Sequence, residues 1–186
     1  MHSKEPNNTM NMFNRYYRHA ALFVAALLLT ASHVVYADNI QDADKLLQQK
    51  QLGQALDKVN GVLAGQPKDA RARFLKGLIL TEQGNAADAI KIFTALTEDY
   101  PEQPEPYNNL AVLYASQGEY DKAKLSLEMA IRAHPSYATA HENLGDIYAK
   151  MASQAYDRAL QLDQGNAATK AKLAMIQDLL KKLITR

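Results

Sequence analysis

The chain has 186 residues, enough for one domain and an additional segment. Its 21 Lys and Arg nearly balance 20 Asp and Glu, so a net charge of +1 leaves no electrostatic footprint for nucleic acid. Cysteine is absent, which excludes disulfides, thiolate chemistry and the acylated cysteine of a lipoprotein, and leaves stability to packing alone.

Charge is placed unevenly at the amino end. Residues 1–37 hold Lys4, Arg15 and Arg18 against the single acid Glu5, and a start at Met10 or Met12 would keep Arg15 and Arg18 in a short basic head. The apolar run Ala20–Ala31 follows, then Val35, Tyr36 and Ala37, an A-x-A-like exit before Asp38. Basic head, apolar stretch and small-residue exit are the parts of a secretory signal peptide, here residues 1–37. The alternative is an inner-membrane anchor over residues 20–37. An anchor needs about 18 or more uninterrupted apolar residues, and Ser32 and His33 break the run early. The signal has a bacterial style, so the expected location of the mature protein is the periplasm.

From Asp38 onward the chain reads as helix pairs punctuated by Gly and Pro. The first pair spans about 40–65, with a turn near Gln51–Gly53 and an apolar stripe of Leu52, Leu56, Val59, Val62 and Leu63. Pro67 ends it, because proline cannot continue a helix. The second pair spans about 69–99. Phe74, Leu75, Leu78 and Ile79 face its core, Gly84-Asn85 turns the chain, and Ala89, Ile90, Phe93 and Leu96 line the second helix. Gly77 lets the two helices approach closely. The third pair, 104–133, is the clearest. The fourth carries Leu144, Gly145 and Tyr148 in register but lacks about five residues of the usual turn, and no Gly or Pro separates Tyr148 from Asp163. A single long helix through 149–163 is expected over a tight pair. After Gln164-Gly165-Asn166, an amphipathic helix runs from about Ala167 to Leu183.

A fixed interval runs through these pairs. Pro67, Pro101 and Pro135 are equally spaced, and the same step relates Ala55, Ala89 and Ala123, and Gly84 to Gly118. A period of about 34 residues, with Tyr107, Leu110, Ala111, Tyr114, Gly118, Tyr120, Ala123, Ala130 and Pro135 in place, resembles the tetratricopeptide repeat (TPR) family. The resemblance covers residues 38 to about 163. It implies an all-α fold, a solenoid of helix–turn–helix units that bury their apolar faces only by stacking. The units are three full repeats (38–68, 69–103 and 104–137), an abbreviated repeat (138–165) and a capping helix (166–186). The cap would pack Leu173, Ile176, Leu180 and Leu183 inward and leave Lys170, Lys172, Lys181, Lys182 and Arg186 in water.

No catalytic signature is legible: there is no Gly-x-Ser-x-Gly, P-loop or dinucleotide fingerprint. His134 and His141 are divided by Pro135 and do not form a metal pair on one helix face. His134 is expected in a loop, and His141 at a bulky position packing on a neighbour. No cofactor and no metal is expected.

The resemblance also implies a concave groove lined by the first helix of each pair. Its positions here are Arg71, Phe74 and Leu78; Asn108, Asn109 and Val112; and Glu142, Asn143 and Asp146. Asn109 and Asn143 occupy the position whose amide, in the family, commonly bonds a bound peptide's backbone, a task suited to a side chain with both donors and an acceptor. Members that hold chaperone tails use a carboxylate clamp of lysines, an arginine and asparagines. Here Phe74 and Leu78 replace a clamp Lys and Asn, and Thr139 replaces a later Lys, which argues against that ligand.

The expected function is a non-catalytic scaffold that binds a protein or peptide segment in this groove, in envelope assembly, with no nucleic-acid or small-molecule ligand. The alternative is a self-associating homo-oligomer, built by stacking through an apolar leading edge at Ile40–Leu47.

Overall fold

The computed structural model of the chain describes residues 39–184. The signal peptide, its cleavage before Asp38, the alternative anchor over 20–37, the side chain of Leu183 and Arg186 lie outside the described residues. Among those described, no helix is long and apolar enough to cross a membrane. The chain divides into two compact units, Met1–Pro67 and Lys68–Arg186.

The first unit contains α1 (39–48) and α2 (Leu52–Gly65). Ile40 and Ala43 of α1 are buried, as are Ala55, Val59 and Val62 of α2, which recur at the spacing of one helix face. Lys58 reaches back from α2 to the Asn39 amide oxygen at 3.4 Å and the Asp42 carboxylate at 3.6 Å. Of the apolar residues of the leading edge, Ile40 and Ala43 are buried within the chain and Leu46 and Leu47 are half-buried.

The second unit contains α3 (Ala70–Glu82), α4 (Ala86–Asp99), α5 (Pro104–Ser116), α6 (Tyr120–Ala133), α7 (Ala138–Leu162) and α8 (Ala167–Ile184). Each helix packs on the next in sequence. The Asp69 carboxylate caps α3 by accepting from the Ala72 amide at 2.7 Å, satisfying one of the free N–H groups of the first turn. Pro104 opens α5, where its missing N–H costs nothing. Phe93 of α4 is fully buried against Gly77 of α3, where a Cβ would fall 2.6 Å from the ring. That is the close approach expected of Gly77.

The turns inside the pairs share one geometry. Gly84 and Gly118 both have φ of 75°, and Lys50, one period earlier, has φ of 58°. Around each the same two bonds form: Gln51 N–H to Leu46 and Lys50 N–H to Leu47, then Asn85 to Leu80 and Gly84 to Thr81, then Glu119 to Tyr114 and Gly118 to Ala115. This is the Schellman arrangement, which satisfies the last carbonyls of a helix through one left-handed residue. The turn near Gln51–Gly53 thus centres on Lys50, and Gly53 sits inside α2.

The pair ends also repeat. Gln66, Tyr100 and His134 cap the second helices with φ of −133°, −137° and −143°. The chain then begins α3, α5 and α7 four residues further on. Asp163 has the same conformation, φ −134°, at the end of α7, but it arrives five positions too early for the period that links the other three. So α7 starts like a first helix and ends like a second one, a 25-residue fusion of the two. Residues 149–163 contain no turn before Asp163.

Against α7 lies α8, with Leu180 buried and Leu173 and Ile176 half-buried, while Met175 stays exposed. Lys172 rests 5.9 Å over the Tyr156 ring, and Lys182 pairs with Asp178 one turn back at 2.7 Å.

Candidate functional site

In the second unit a cleft lies between α5 and α7, with α6 contributing Tyr120 and Leu127 to its lining. It has a volume of about 240 Å³ and is lined by Ala111, Val112, Ala115, Tyr120, Leu127, Asn143, Asp146, Ile147 and Lys150. Three expected groove residues therefore meet here: Val112, Asn143 and Asp146. The floor is apolar: Ala111, Ala115, Leu127 and Ile147 line it, and Leu127 and Ile147 are themselves buried. Val112 is 48% exposed, an aliphatic side chain presented to solvent at the cleft mouth.

The polar groups are arranged around that floor. The Asn143 amide donates to the Asn108 side-chain oxygen at 2.7 Å, bridging α7 and α5. Asn108 is only 8% exposed, so this bond serves a buried polar group that would otherwise be costly. It also orients Asn143, directing its nitrogen to α5 and leaving its oxygen for another donor. Asp146 and Lys150, one turn apart on α7, are half-buried and have no ion pair or hydrogen bond among the described residues. A cleft with an apolar floor, a fixed amide and one charge of each sign suits a peptide segment, whose backbone offers both donors and acceptors.

The other expected residues stand elsewhere. Asn109 is half-buried and donates to the carbonyl of Glu105 in its own helix at 2.9 Å, so it is not the equal of Asn143. Glu142 is exposed on α7 outside the cleft, and Arg71 is exposed on α3. Phe74 meets Phe93 edge-on with centroids 5.6 Å apart, and Leu78 packs on the same core. Both are partly committed to holding α3 on α4. Lys150 and Tyr120 line the cleft without having been expected there. Lys150 could have been found, since it follows Asp146 by one turn on the same face and stands one full period after Ser116.

His141 does not pack on a neighbouring helix. It is exposed, and its Nε2 lies 2.9 Å from the Pro135 carbonyl of its own loop. His134 is exposed beside Ser136 at 3.4 Å. Among the described residues no group of His, Cys, Asp or Glu is placed to hold a metal. At the start of α7, burial raises the Tyr137 phenol above its ordinary pKa, with the Glu105 charge adding to the effect. Tyr137 therefore stays neutral.

A second depression, about 570 Å³, lies between the α5–α6 turn at Gly118–Lys122 and Met151, Gln154, Ala155 and Arg158 of α7. It exists because α7 runs straight past that turn. Inside it Lys122 pairs with Glu119 and lies 5.4 Å over the Tyr114 ring.

Comparison with known proteins agrees with this architecture. Two models of the tetratricopeptide repeat match, one over residues 41–104 and one over 80–144. The TPR repeat-containing thioredoxin TTL4 of Arabidopsis thaliana is 28% identical over 120 residues, 64% of this chain and 18% of that protein. The photosystem I assembly protein Ycf3 of Prochlorococcus marinus is 26% identical over 102 residues, 53% of this chain and 59% of its own length. The chain thus spans from under a fifth to about three fifths of these relatives. Among solved structures, YrrB, a TPR protein with an unusual peptide-binding site, has a TM-score of 0.53 at 27% identity, over 56% of this chain and 54% of that one. Family models over most of the helical region and Schellman turns one period apart have one reading: the chain belongs to the tetratricopeptide repeat family, whose members mediate protein–protein interaction.

Proposed function

We propose that the protein is a non-catalytic scaffold that holds a segment of another protein in the cleft between α5 and α7. The observation that carries this reading is the cleft's composition: an apolar floor, the Asn143 amide fixed by Asn108, and Asp146 and Lys150 on one wall, unpaired among the described residues. An extended or helical segment would set an aliphatic side chain on the floor and its backbone against Asn143. The peptide-binding site of YrrB and the assembly role of Ycf3 support this, as functions of those relatives. The basic head, apolar run and Val35–Ala37 exit support export, so we place the mature protein in a bacterial periplasm, in the assembly of envelope machinery. Nucleic acid and small-molecule substrates are not part of this reading.

The test is a photoreactive residue at Val112, used in cells, with captured proteins identified by mass. One partner, lost on Asn143→Ala, is the expected result. Capture that is indifferent to Asn143, or no capture by a folded protein, would overturn the groove reading. Fractionation with an antibody to the mature region tests location separately: a soluble periplasmic product shortened at Asp38 is expected, and a full-length membrane product would favour the anchor.

A further inference from the structure

The two depressions of the second unit meet at Tyr120, which lines both the cleft of about 240 Å³ and the larger space of about 570 Å³. They also share a wall. Asn143, Asp146, Ile147 and Lys150 of α7 border the first, and Met151, Gln154, Ala155 and Arg158 border the second. Asn143, Ile147, Met151, Gln154 and Arg158 follow one another at steps of four, four, three and four, which is one continuous face of the helix. The other side of α7 belongs to α8, where Lys172 rests over Tyr156. Among the described residues, none of α8 lines either depression.

Charge along this path is balanced except at its far end. Lys122 is paired with Glu119. Asp121 lies in the first turn of α6, where the positive end of the helix dipole offsets its carboxylate. Asp146 and Lys150, of opposite sign and one turn apart, cancel in net charge. Arg158 has no such counterpart. Three and four positions to either side of it stand Gln154, Ala155, Gln161 and Leu162, so no acid is in reach on its own helix face. Asp157 projects about 100° away around the helix, and Asp163 accepts from the Gly165 amide at 3.1 Å. Arg158 is exposed, with no ion pair or hydrogen bond among the described residues, and it lines the larger depression as an uncompensated cation.

Resting on the reading that the cleft holds a partner segment, we propose that one extended acidic segment lies along this face of α7. It sets an aliphatic side chain on the cleft floor and an Asp or Glu side chain against Arg158. A groove lined by successive first helices runs across them, whereas the fused helix turns the path along its own axis. Ile147 and Arg158 are about 16 Å apart along α7, at about 1.5 Å per residue. An extended chain covers that in about five residues, at about 3.3 Å each, which fixes the spacing between the anchor and the acid. A helical segment, about 10 Å across, does not enter a cleft of about 240 Å³ between helices already in contact.

The test uses the full chain in cells, with a photoreactive side chain at Ala155 in one variant and at Val112 in another, and the cross-linked segments identified by peptide mass. Both positions are expected to capture one and the same segment, with an Asp or Glu about five residues from its aliphatic anchor. Arg158→Glu, at an exposed position where folding is not at stake, is expected to lower capture at both by about fivefold, the effect of one partly exposed ion pair. Exchanging the captured segment's acid for Lys should then restore it. Suppose Val112 captures a partner that is lost on Asn143→Ala, while Ala155 captures nothing or a different protein. The path along α7 then fails and the cleft reading stands. Capture indifferent to Arg158→Glu, a segment lacking the acid, one that meets Arg158 with its terminal carboxylate, or a second copy of this chain each count against the proposal in the same way. No capture at Val112 by a folded protein removes the cleft reading and this inference together.

Discussion

In α3–α4 and α5–α6, two helices of 13 or 14 residues fold back on each other across a left-handed turn; in α7–α8, a 25-residue helix runs on and its neighbour returns along it. The regular pairs bury Phe93, Leu96, Leu127 and Ala130 completely, whereas between Lys150 and Leu179 no described side chain is buried. The same helix-forming sequence is present in both regions. What differs is five residues, and with them the glycine whose positive φ reverses the chain. Without that reversal hydrogen bonding continues from residue to residue, which costs less than starting a new helix, and the second helix is carried away from the first.

That contrast can be broken at several points. The largest effect is expected in a regular pair: Phe93→Ala should cost about 3–5 kcal/mol, because a fully buried ring leaves a cavity beside Gly77. Urea unfolding measures it, and a loss below about 1 kcal/mol would mean the pair is looser than its burial implies. Next, Gln154→Pro places proline inside the fused helix, where it removes an N–H and strikes the preceding turn, a cost of about 3 kcal/mol or more. A near-neutral result in the same assay would mean that a turn, not a helix, occupies this point. Smaller effects belong to the turn residue. Lys50→Gly relieves a left-handed L-residue and should stabilise by about 1 kcal/mol, and Gly118→Ala should destabilise by a similar amount. If both changes move the melting temperature the same way, the equivalence of the two turns fails. The smallest effect is expected at Leu162, 91% exposed at the end of α7, where Leu162→Ala should stay within about 0.5 kcal/mol. A large loss there that grows with protein concentration would point to a partner at the hairpin tip.

Much of this was legible in the residues, for reasons that can be named. Pro67, Pro101 and Pro135 mark the pair ends because proline cannot extend a helix, and the absence of Gly or Pro between Tyr148 and Asp163 predicts the fused helix. Lys50 was hidden because a left-handed turn is normally signalled by glycine, and Gly53 drew the turn three residues too late. Asn109 and Asn143 are equivalent by period yet differ in their bonds, since only Asn143 faces a buried amide, Asn108, across a helix interface. That distinction depends on a neighbour a whole repeat away, which no local pattern encodes. Phe74 and Leu78 belong to the groove stripe and to the core at once. A half-buried position on a helix edge is ambiguous until the facing helix is placed.

The unbroken α7 also changes how the array can come apart. In a linear stack, a frontier between ordered and melted units settles most cheaply at a turn, where few bonds span it. Between Ala138 and Leu162 there is no such place. Loosening that begins at the exposed hairpin tip must either stop at Asp163 or travel the length of a helix that also carries Asn143, Asp146 and Lys150. The end of the stack and the wall of the cleft therefore share one thermal fate, and whatever steadies the tip steadies the wall.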